Sequence, residues 1–486
     1  MLEATVLTTG ALWLEQLLVH YLKANGVFAK MNVMQYVNKF GSQGCPLGEM
    51  SKQLIPVGAW AQIPRAEHQG CYRICQCSNH GSLEKCRDLN CPAATTCWVQ
   101  NSFVAHRTSF YLECKPCRCF EGEVTCSRKS CAEVRYSTLP CDCPSHYVPV
   151  CGRLGVTYAS ACLAKCAGLL VGELEYNSCS KRRGHVCGTS KASDPGSCKP
   201  NETCFARPKV CLSPIHKPCE QHECIRLPCD PRSDKRGPVC DKKSHEHPSL
   251  CSLAQRGAQL AYWGHCQQRC STRGKVCGIN GEEYDSECAA WADRTVVDYQ
   301  GECIAVGLIG EQPKPRCADA VACPPLARQN CIGVTPPGAC CPVCGGAARL
   351  FYSKKQLDRI YYQLPDDSDK RIVTLEAMLD GLSRQLKVAE CVLRGKITLD
   401  GDIFVLNQPV SKRPSELQLS ACVAEIEKLV SRIADRSPKI VAEVPLSSLT
   451  WAEVVHSRVA SNGAMTAQRN VFTLVGLAAL VVRITF

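Results

Sequence analysis

The 486-residue sequence lacks the short motifs that mark common enzyme classes. His245-Glu246-His247 is not the His-Glu-x-x-His pattern, which would place two metal-binding histidines on one face of a helix. There is no Gly-x-Ser-x-Gly turn for a nucleophilic serine and no glycine-rich loop that could hold a phosphate. A basic helix interleaved with aromatic residues, typical of nucleic-acid binding, is missing too. These absences predict a protein that is not an enzyme, needs no cofactor or metal, and binds no nucleic acid.

Long apolar runs are scarce between residues 45 and 344, where glycine and proline are frequent. Small units of this kind bury too little apolar surface to fold unaided. The chain has cysteine instead: 40 residues, of which 38 lie between Cys45 and Cys344. Cys114-x-x-Cys117 and Cys341-x-x-Cys344 have zinc-ligand spacing, but the many cysteines around them favour disulfides. Disulfides form in oxidising compartments, so we predict that the chain enters the secretory route.

The N-terminus lacks the features of a signal peptide. Glu3 occupies the region where basic residues are expected, and no small-residue cleavage site follows the apolar stretch. Residues 11–40 have an amphipathic, helical pattern instead. We therefore expect a helical lead segment over residues 1–44 and a start that is truncated or misassigned.

The C-terminus ends in a short apolar run. Residues 471–482 would rise about 18 Å as a helix, short of the roughly 30 Å hydrocarbon core of a bilayer. Small residues and a polar spacer precede the run, which is the order of a GPI-anchor signal. We predict such a signal over residues 461–486, with the lipid attached at Asn462 or, alternatively, at Ser461. A transmembrane tail and an ordinary apolar terminus remain open alternatives.

The formal net charge is +12, and the positive charges include short clusters such as Lys181-Arg182-Arg183 and Lys242-Lys243. These clusters could attract acidic cell-surface glycans, but an ordinary solvated surface explains them more simply. A single sequon, Asn201-Glu202-Thr203, lies in a cysteine-rich polar stretch and predicts glycosylation at Asn201.

An internal repeat opens the cysteine-rich part. Cys75-x-Cys77-x8-Cys86-x4-Cys91 is repeated as Cys117-x-Cys119-x6-Cys126-x4-Cys131, and Cys340-Cys341-Pro342-Val343-Cys344 follows much later. The repeats and the later segment resemble parts of von Willebrand factor C modules. This resemblance implies C-like repeats over residues 45–131 and a C-like half module over 317–344.

Residues 141–179 carry the most specific spacing. Val150-Cys151-Gly152, Gly155-Val156-Thr157-Tyr158 and then Cys162 resemble a Kazal module. The resemblance implies a short helix near 161–169 against a small antiparallel sheet, with Tyr158 packed inside. It also implies three disulfide pairs: Cys141–Cys166, Cys143–Cys162 and Cys151–Cys179.

Two further Kazal-like copies are incomplete. The copy at 270–303 keeps Cys270, Cys277, Cys288 and Cys303 but lacks one disulfide. The copy at 229–266 is more degenerate, because its second cysteine, Cys229, lies at the wrong spacing. We interpret residues 187–228, before these copies, as a cysteine-rich linker.

Residues 350–455 change in character and predict a small α+β domain next to the membrane. Asp400-Gly401 is typical of a hairpin turn, and Ser415 with Gln418 forms a capping box at a helix start. The two cysteines of this region, Cys391 and Cys422, are expected to pair. An apolar stripe at helical spacing predicts core packing and consists of Leu419, Val423, Ile426, Val430 and Ile433.

The Kazal resemblance also implies an inhibitory loop. A Kazal inhibitor holds an extended loop in a protease active site, and its crosslinks lower the ordering cost of binding. Here the loop residues are Pro144, Ser145, His146 and Tyr147, with Ser145 at P1 and His146 at P1′. Because Ser145 is small, it suits only a shallow specificity pocket, so we favour a structural or interaction role over inhibition of serine proteases.

The order of the modules and the tail together resemble the family of reversion-inducing cysteine-rich proteins with Kazal motifs, over its C-terminal half. The resemblance implies a GPI-anchored glycoprotein on the extracellular face of the plasma membrane that restrains matrix metalloproteases and so limits matrix breakdown. Its implied partners are extracellular proteases, possible serine proteases among them, cell-surface signalling receptors and the membrane. One alternative is an adhesion or signalling scaffold, or a Wnt co-receptor component, without inhibitory activity. Another is a Kazal-type serine protease inhibitor.

The sequence thus predicts a small disulfide-rich multi-module chain, of Kazal-type and von Willebrand factor C-like units, followed by a small α+β domain. Since the disulfides form outside the reducing interior of the cell, we expect them to shape the chain into a string of rigid modules.

Overall fold

The computed structural model describes these residues: 44–47, 54–65, 71–91, 95–113, 115–127, 141, 143, 146–179, 198, 202–207, 209–212, 222–229, 237–267, 274–304, 320–364, 374–455 and 458–459. No cysteine among them is free, and the disulfide-rich, multi-module fold class is confirmed. The predicted lead segment over 1–44 lies outside this description except for its last residue.

The first cysteine-rich unit consists of two small antiparallel sheets. Its strands are β1 (Gly44–Pro46), β2 (Leu54–Pro56), β3 (Trp60–Pro64), β4 (Tyr72–Cys77) and β5 (Leu83–Asp88). β1 pairs with β2, and β4 lies between β3 and β5. The disulfides of the unit are Cys45–Cys77, Cys71–Cys91 and Cys75–Cys86.

The second unit repeats this pairing scheme. Its strands are β6 (Cys97–Val99), β7 (Ser102–Val104), β8 (Ser109–Leu112), β9 (Lys115–Phe120) and β10 (Glu123–Cys126). Cys117 pairs with Cys126, as Cys75 does with Cys86, and Cys119 pairs backward with Cys97, as Cys77 does with Cys45. The internal repeat therefore extends from the cysteine spacing to the pairing of these disulfides.

Three small units of similar topology follow. Each contains a Val-Cys-x strand between two partner strands, and a helix begins after a serine whose hydroxyl accepts a backbone N–H. The elements of the first unit are β11 (Val150–Gly152), β12 (Thr157–Tyr158), α1 (Ala161–Cys166) and β13 (Leu174–Tyr176). A hairpin, β14 (Glu202–Ala206) and β15 (His222–Arg226), lies in the segment that the sequence predicts to be a linker.

The second and third units have the same order of elements. The second contains β16 (Val239–Asp241), β17 (Glu246–His247), α2 (Leu250–Gln255) and β18 (Leu260–Trp263). The third contains β19 (Val276–Gly278), β20 (Glu283–Tyr284), α3 (Glu287–Ala292) and β21 (Val297–Gln300).

A larger α+β domain completes the fold. Its elements are β22 (Cys331–Ile332), β23 (Gly346–Tyr352), α4 (Lys354–Gln363), α5 (Leu375–Gln385), β24 (Cys391–Ile397), β25 (Ile403–Pro409), α6 (Glu416–Ala434), α7 (Pro438–Val441), β26 (Leu449–Val454) and β27 (Arg458–Val459). The four-stranded sheet is antiparallel in the order β24-β25-β23-β26, and α6 packs against β23, β25 and β26.

Local sequence signals explain how this domain forms. The capping box of Ser415 and Gln418 starts α6, and the Asp400-Gly401 turn joins β24 to β25, as predicted. Cys391–Cys422 connects β24 with α6. Gly346 lets the helix approach the sheet, since a Cβ there would lie 2.8 Å from the carbonyl oxygen of Cys422.

The buried face of α6 differs slightly from the predicted stripe. Leu419, Ile426 and Ile433 are fully buried, as the period implies. Val423 and Val430 are only partly buried. Leu429, which is not part of the predicted stripe, is fully buried in the core. The stripe is wider than the predicted positions because the helix packs across three strands rather than one.

The small units pack against the α+β domain, a feature that the expected string of rigid modules did not include. Trp60, Ile74 and Leu89 of the first cysteine-rich unit share a buried cluster with Ile360, Leu364 and Val444 of the α+β domain. Ile279 and Val296 of the third Kazal-like unit share another with Ala347, Phe404 and Leu406. Apolar side chains that each small unit cannot cover alone are buried against the larger domain.

Polar contacts fix the second cysteine-rich unit on the same domain. Arg118 donates to the carbonyl oxygen of Thr450 at 3.1 Å, and Arg359 binds Glu121 at 2.9 Å. Arg436 lies over the ring of Phe120, 4.8 Å from its centroid, and donates to the carbonyl of Leu449 at 2.7 Å.

We expect Ile279→Ala to weaken both sides of its shared cluster. The side chain is fully buried, and removing such a group costs about 2–5 kcal/mol of unfolding free energy. Hydrogen exchange should show lost protection in β25 of the α+β domain as well as in β19. Leu154→Ala, at a side chain that is 94% exposed, is the control and should change neither. Loss confined to the third Kazal-like unit would contradict the shared core.

Candidate functional site

The first Kazal-like unit carries the predicted inhibitory loop. Its three disulfides are Cys141–Cys166, Cys143–Cys162 and Cys151–Cys179, the pairs that the Kazal resemblance implies. Tyr158 packs against Val150, Ala161 and Ala164. The chain that leaves the loop is held firmly, since Val148 is 1% exposed and Val150 is fully buried.

Half of the predicted loop can be located. Pro144 and Ser145 lie outside the residues that the structure describes, whereas His146 and Tyr147 are described and partly buried. Neither described residue projects freely into solvent. Both contact the third Kazal-like unit or the segment before β23.

His146 packs into a junction between units. Its Nε2 lies 3.1 Å from the carbonyl oxygen of Ile304, and its Nδ1 lies 3.6 Å from Sγ of Cys340. Burial lowers the pKa of His146, although the contact with the Ile304 carbonyl opposes this shift. The side chain at predicted P1′ is therefore a contact residue inside the protein.

The backbone of Tyr147 is also occupied. Its N–H donates to the carbonyl oxygen of Gly338 at 2.9 Å. Its own carbonyl oxygen faces Gly281 so closely that a Cβ at Gly281 would lie 2.0 Å away. Gly281 has a φ of +70°, which an L-residue side chain rarely tolerates, so glycine is needed there for two reasons. Burial, with the nearby charge of Glu282, raises the pKa of the Tyr147 hydroxyl to about 12.

Two buried charges lie beside the loop. Asp298 is 2% exposed and accepts the backbone N–H groups of Cys340 and Cys341, each at 2.8 Å. Lys396 is 4% exposed, lies 5.2 Å from the Tyr147 ring centroid and donates to the carbonyl of Ile279. Burial lowers the pKa of Lys396 to about 8, against the attraction of Asp298. Sequence reasoning missed these residues because they come from distant segments with no motif.

This geometry restricts what the loop can do. A substrate-like loop offers its extended backbone groups to the enzyme, and those groups must be accessible. At Tyr147 the N–H is already bonded and the carbonyl is packed against Gly281. In this arrangement His146 and Tyr147 join three parts of the protein together and are not presented to a protease.

The second and third Kazal-like units are also crosslinked, as far as their described residues show. Cys229–Cys251 and Cys240–Cys266 hold the second unit, so Cys229 pairs despite its unusual spacing. Cys277–Cys303 holds the third unit, in which Cys288 is also disulfide-bonded. Cys270 lies outside the described residues.

The second unit fills one internal position differently from the first and third. In the third, Tyr284 donates to Asp293 at 2.5 Å, and a Cβ at Gly278 would lie 3.0 Å from its ring. The first unit has the same combination, Gly152 with Tyr158. In the second unit the glycine is replaced by Asp241 and the tyrosine by His247.

Asp241 and His247 form a buried pair, 5% and 2% exposed. Nε2 of His247 lies 3.0 Å from one carboxylate oxygen of Asp241, and the other oxygen accepts the N–H groups of Lys243 and His245. Burial alone would raise the pKa of Asp241, but these hydrogen bonds outweigh it and lower the pKa to about 2. Within the His245-Glu246-His247 sequence, Glu246 and His247 thus form strand β17, and the His247 ring is paired with Asp241.

The described residues contain one group with the composition of a metal site: Cys198, His222 and Cys224. Cys198 and Cys224 are bonded to each other, and a disulfide sulfur lacks the thiolate that binds zinc. This group is therefore a disulfide with a neighbouring histidine.

Three predicted modification sites fall outside the described residues: Asn201, Ser461 and Asn462. Within the described part of the chain, no helix is long and apolar enough to cross a membrane.

Comparison with family models assigns the small units. Residues 138–179, 226–266 and 265–303 match the model of the Kazal-type serine protease inhibitor domain. Residues 44–91 match a model described as RECK-like, EGF-like 1 domain, where the sequence predicts a von Willebrand factor C-like repeat. A second model with this description matches residues 190–223, in the segment predicted to be a linker.

Curated relatives cover most of the chain. A zebrafish (Danio rerio) protein named reversion-inducing cysteine-rich protein with Kazal motifs is 38% identical over 430 residues, which is 86% of this chain and 44% of the relative. The protein of the same name from Homo sapiens is 38% identical over 438 residues, 87% of this chain and 44% of the relative. The chain belongs to this family. It spans less than half the length of the relatives it matches. The three Kazal matches are to a domain whose description is that of a serine protease inhibitor.

Ser145→Arg tests whether the loop is presented to proteases. Arginine is the P1 side chain that a trypsin-like pocket binds, so an accessible loop would become a trypsin inhibitor. Because His146 and Tyr147 are engaged within the protein, we expect no measurable inhibition by the intact chain. Gel analysis should confirm that the chain stays uncut during the assay. Tight, stoichiometric inhibition would show that the loop is free.

Asp241→Asn tests the buried pair through its pH dependence. The carboxylate has a pKa of about 2 in the folded state, below its usual 3.8, so the stability it provides is complete above pH 4 and is lost as the pH falls toward 2. The wild type should therefore unfold at a higher temperature than Asp241→Asn at pH 5, and the difference should shrink at pH 2. A difference that is constant with pH would contradict the assignment.

Proposed function

We propose that the chain is part of a GPI-anchored glycoprotein on the extracellular face of the plasma membrane that restrains extracellular proteases, matrix metalloproteases among them. Membership of the family supports this proposal, as do the three Kazal domains. Restraint of these proteases would limit breakdown of the extracellular matrix.

The packing of His146 and Tyr147 is the observation on which the proposed mode of protease restraint rests. Since these residues lie in an interface, restraint would not use the first Kazal loop as a substrate mimic. The alternative is a broad rigid surface that excludes protein substrates from a bound protease. Shared buried clusters support such rigidity, because they fix the small units on the α+β domain.

A scaffold for adhesion or signalling, including a Wnt co-receptor component, is the second candidate. One observation favours it: aromatic side chains are exposed on three successive strands of the second cysteine-rich unit, with Trp98 58%, Phe103 72% and Tyr111 74% exposed. Trp98 and Phe103 contact each other edge to face at 4.6 Å between ring centroids. Exposed aromatic groups of this kind are common at the centre of protein interfaces.

Serine protease inhibition is the weakest of the three candidates. It needs a presented loop, and the described half of the loop is engaged within the protein.

The decisive measurement compares two substrates of one matrix metalloprotease. The protein should be released from intact cells with a phosphatidylinositol-specific phospholipase, so that release itself tests the lipid anchor. We expect the released protein to slow cleavage of a matrix protein several-fold and to leave cleavage of a short fluorogenic peptide unchanged, because a peptide passes a surface that blocks a large substrate.

Reduced and alkylated protein is the control and should lose the effect, since its disulfides are gone. Equal slowing of both substrates would show that the active site itself is blocked. Normal cleavage of the matrix protein, with saturable binding to cells that Trp98→Ser and Phe103→Ser abolish, would support the scaffold instead.

A further inference from the structure

The turn between the first two strands of each Kazal-like unit has a different environment in each copy. In the third unit it is buried, with Ile279 fully covered and Gly281 against Tyr147. In the first it exposes Leu154, which is 94% accessible. In the second it presents Lys242 and Lys243 to solvent. This second turn lines a cleft.

The cleft has a volume of about 710 Å³ and lies between the β16–β17 turn and the end of α2. Its rim carries the basic side chains Lys242, Lys243 and Arg256, with His245 beside them. All four are exposed. Arg256 follows α2 directly as its C-terminal cap, so the helix places a third fixed positive charge near the two lysines.

Hydrogen bonds fix the backbone from which the two lysine side chains extend. Lys242 donates its N–H to the carbonyl of Gln259 at 3.0 Å, which ties the turn to the segment after α2. Asp241 accepts the N–H groups of Lys243 and His245 at 2.9 and 2.8 Å. The turn backbone is therefore fixed, so that binding a ligand would have to order only the side chains that extend from it.

The positive charges of the cleft are poorly neutralised. Asp241 lines the cleft, but its carboxylate already makes hydrogen bonds with His247 and with the backbone N–H groups of the turn. Lys242 has a distant ion pair with Asp285 at 3.8 Å, in which both side chains are largely exposed. Neither Lys243 nor Arg256 has an acidic partner among the described residues. Exposed pairs such as Lys242–Asp285 contribute little, so an anionic ligand could displace Asp285.

We propose that this cleft binds a sulfated glycosaminoglycan chain. Clustered basic side chains on one surface attract polyanions, and several weak contacts along one chain add up. The lining contains no Trp, Tyr, Phe or large aliphatic residue, so it lacks the stacking platforms of nucleic-acid sites and the apolar anchors of membrane-binding surfaces. The cleft is a separate site from the first Kazal loop, and the proposal does not depend on protease restraint.

Immobilised heparin is the probe, and the full chain is the protein to use. We expect binding that weakens as salt rises, because the contacts are screened charges. The triple variant Lys242→Ser, Lys243→Ser and Arg256→Ser should bind roughly tenfold more weakly, in line with the loss of several charge contacts. Chemically desulfated heparin should bind the wild type weakly.

Two further variants distinguish binding at this cleft from attraction by the net positive charge of the protein. Arg73→Ser, Arg87→Ser and Lys354→Ser remove the same number of exposed positive charges elsewhere and should leave binding near the wild-type level. Asp285→Asn removes the competing carboxylate beside Lys242 and should tighten binding, a gain that misfolding cannot produce.

Several outcomes would overturn the proposal. Equal weakening by the two triple variants would mean that only net charge matters. Equal binding to desulfated heparin would remove the role of sulfate. Binding to phosphatidylserine vesicles without binding to heparin would assign the cleft to a lipid surface instead.

Discussion

The fold depends on apolar side chains that the small cysteine-rich units cannot bury by themselves. Disulfides restrict the unfolded chain of each unit, but they do not set its orientation toward its neighbours. Orientation comes from the shared clusters, in which Trp60 and Ile74 meet Ile360 on one side of the α+β domain and Ile279 meets Phe404 at another. The larger domain is thus the common support of the protein rather than a separate unit at one end of a string.

Packing against the α+β domain and its neighbours changes the role that the first Kazal domain can have. A Kazal loop inhibits when crosslinks hold it extended and accessible. Here the crosslinks are present, but His146 and Tyr147 are used to join the first unit to the third and to the segment before β23. The same rigidity that suits an inhibitor also suits a structural joint. Which of the two roles a Kazal unit has is decided by its neighbours.

The three copies show how one small topology accepts different interiors. Glycine and tyrosine occupy facing positions in the first and third units, because a Cβ on the glycine would meet the ring. The second unit has Asp241 and His247 there, and the smaller ring leaves room for the carboxylate that binds it. The exchange keeps the interior filled and polar groups paired, and it leaves the adjacent turn free to carry Lys242 and Lys243.

The sequence by itself determined the local features of this protein. Cysteine spacing indicated the Kazal units, the Asp400-Gly401 turn indicated a hairpin, and Ser415 with Gln418 indicated the start of α6, because each of these signals acts over a few residues. Through the Kazal resemblance it also predicted that His146 and Tyr147 belong to an inhibitory loop. It did not show the environment of that loop, since Gly281, Asp298, Gly338 and Lys396 come from segments far apart in the chain. Only the tertiary structure decided these contacts, because the burial of apolar surface between units depends on shape and not on any short pattern.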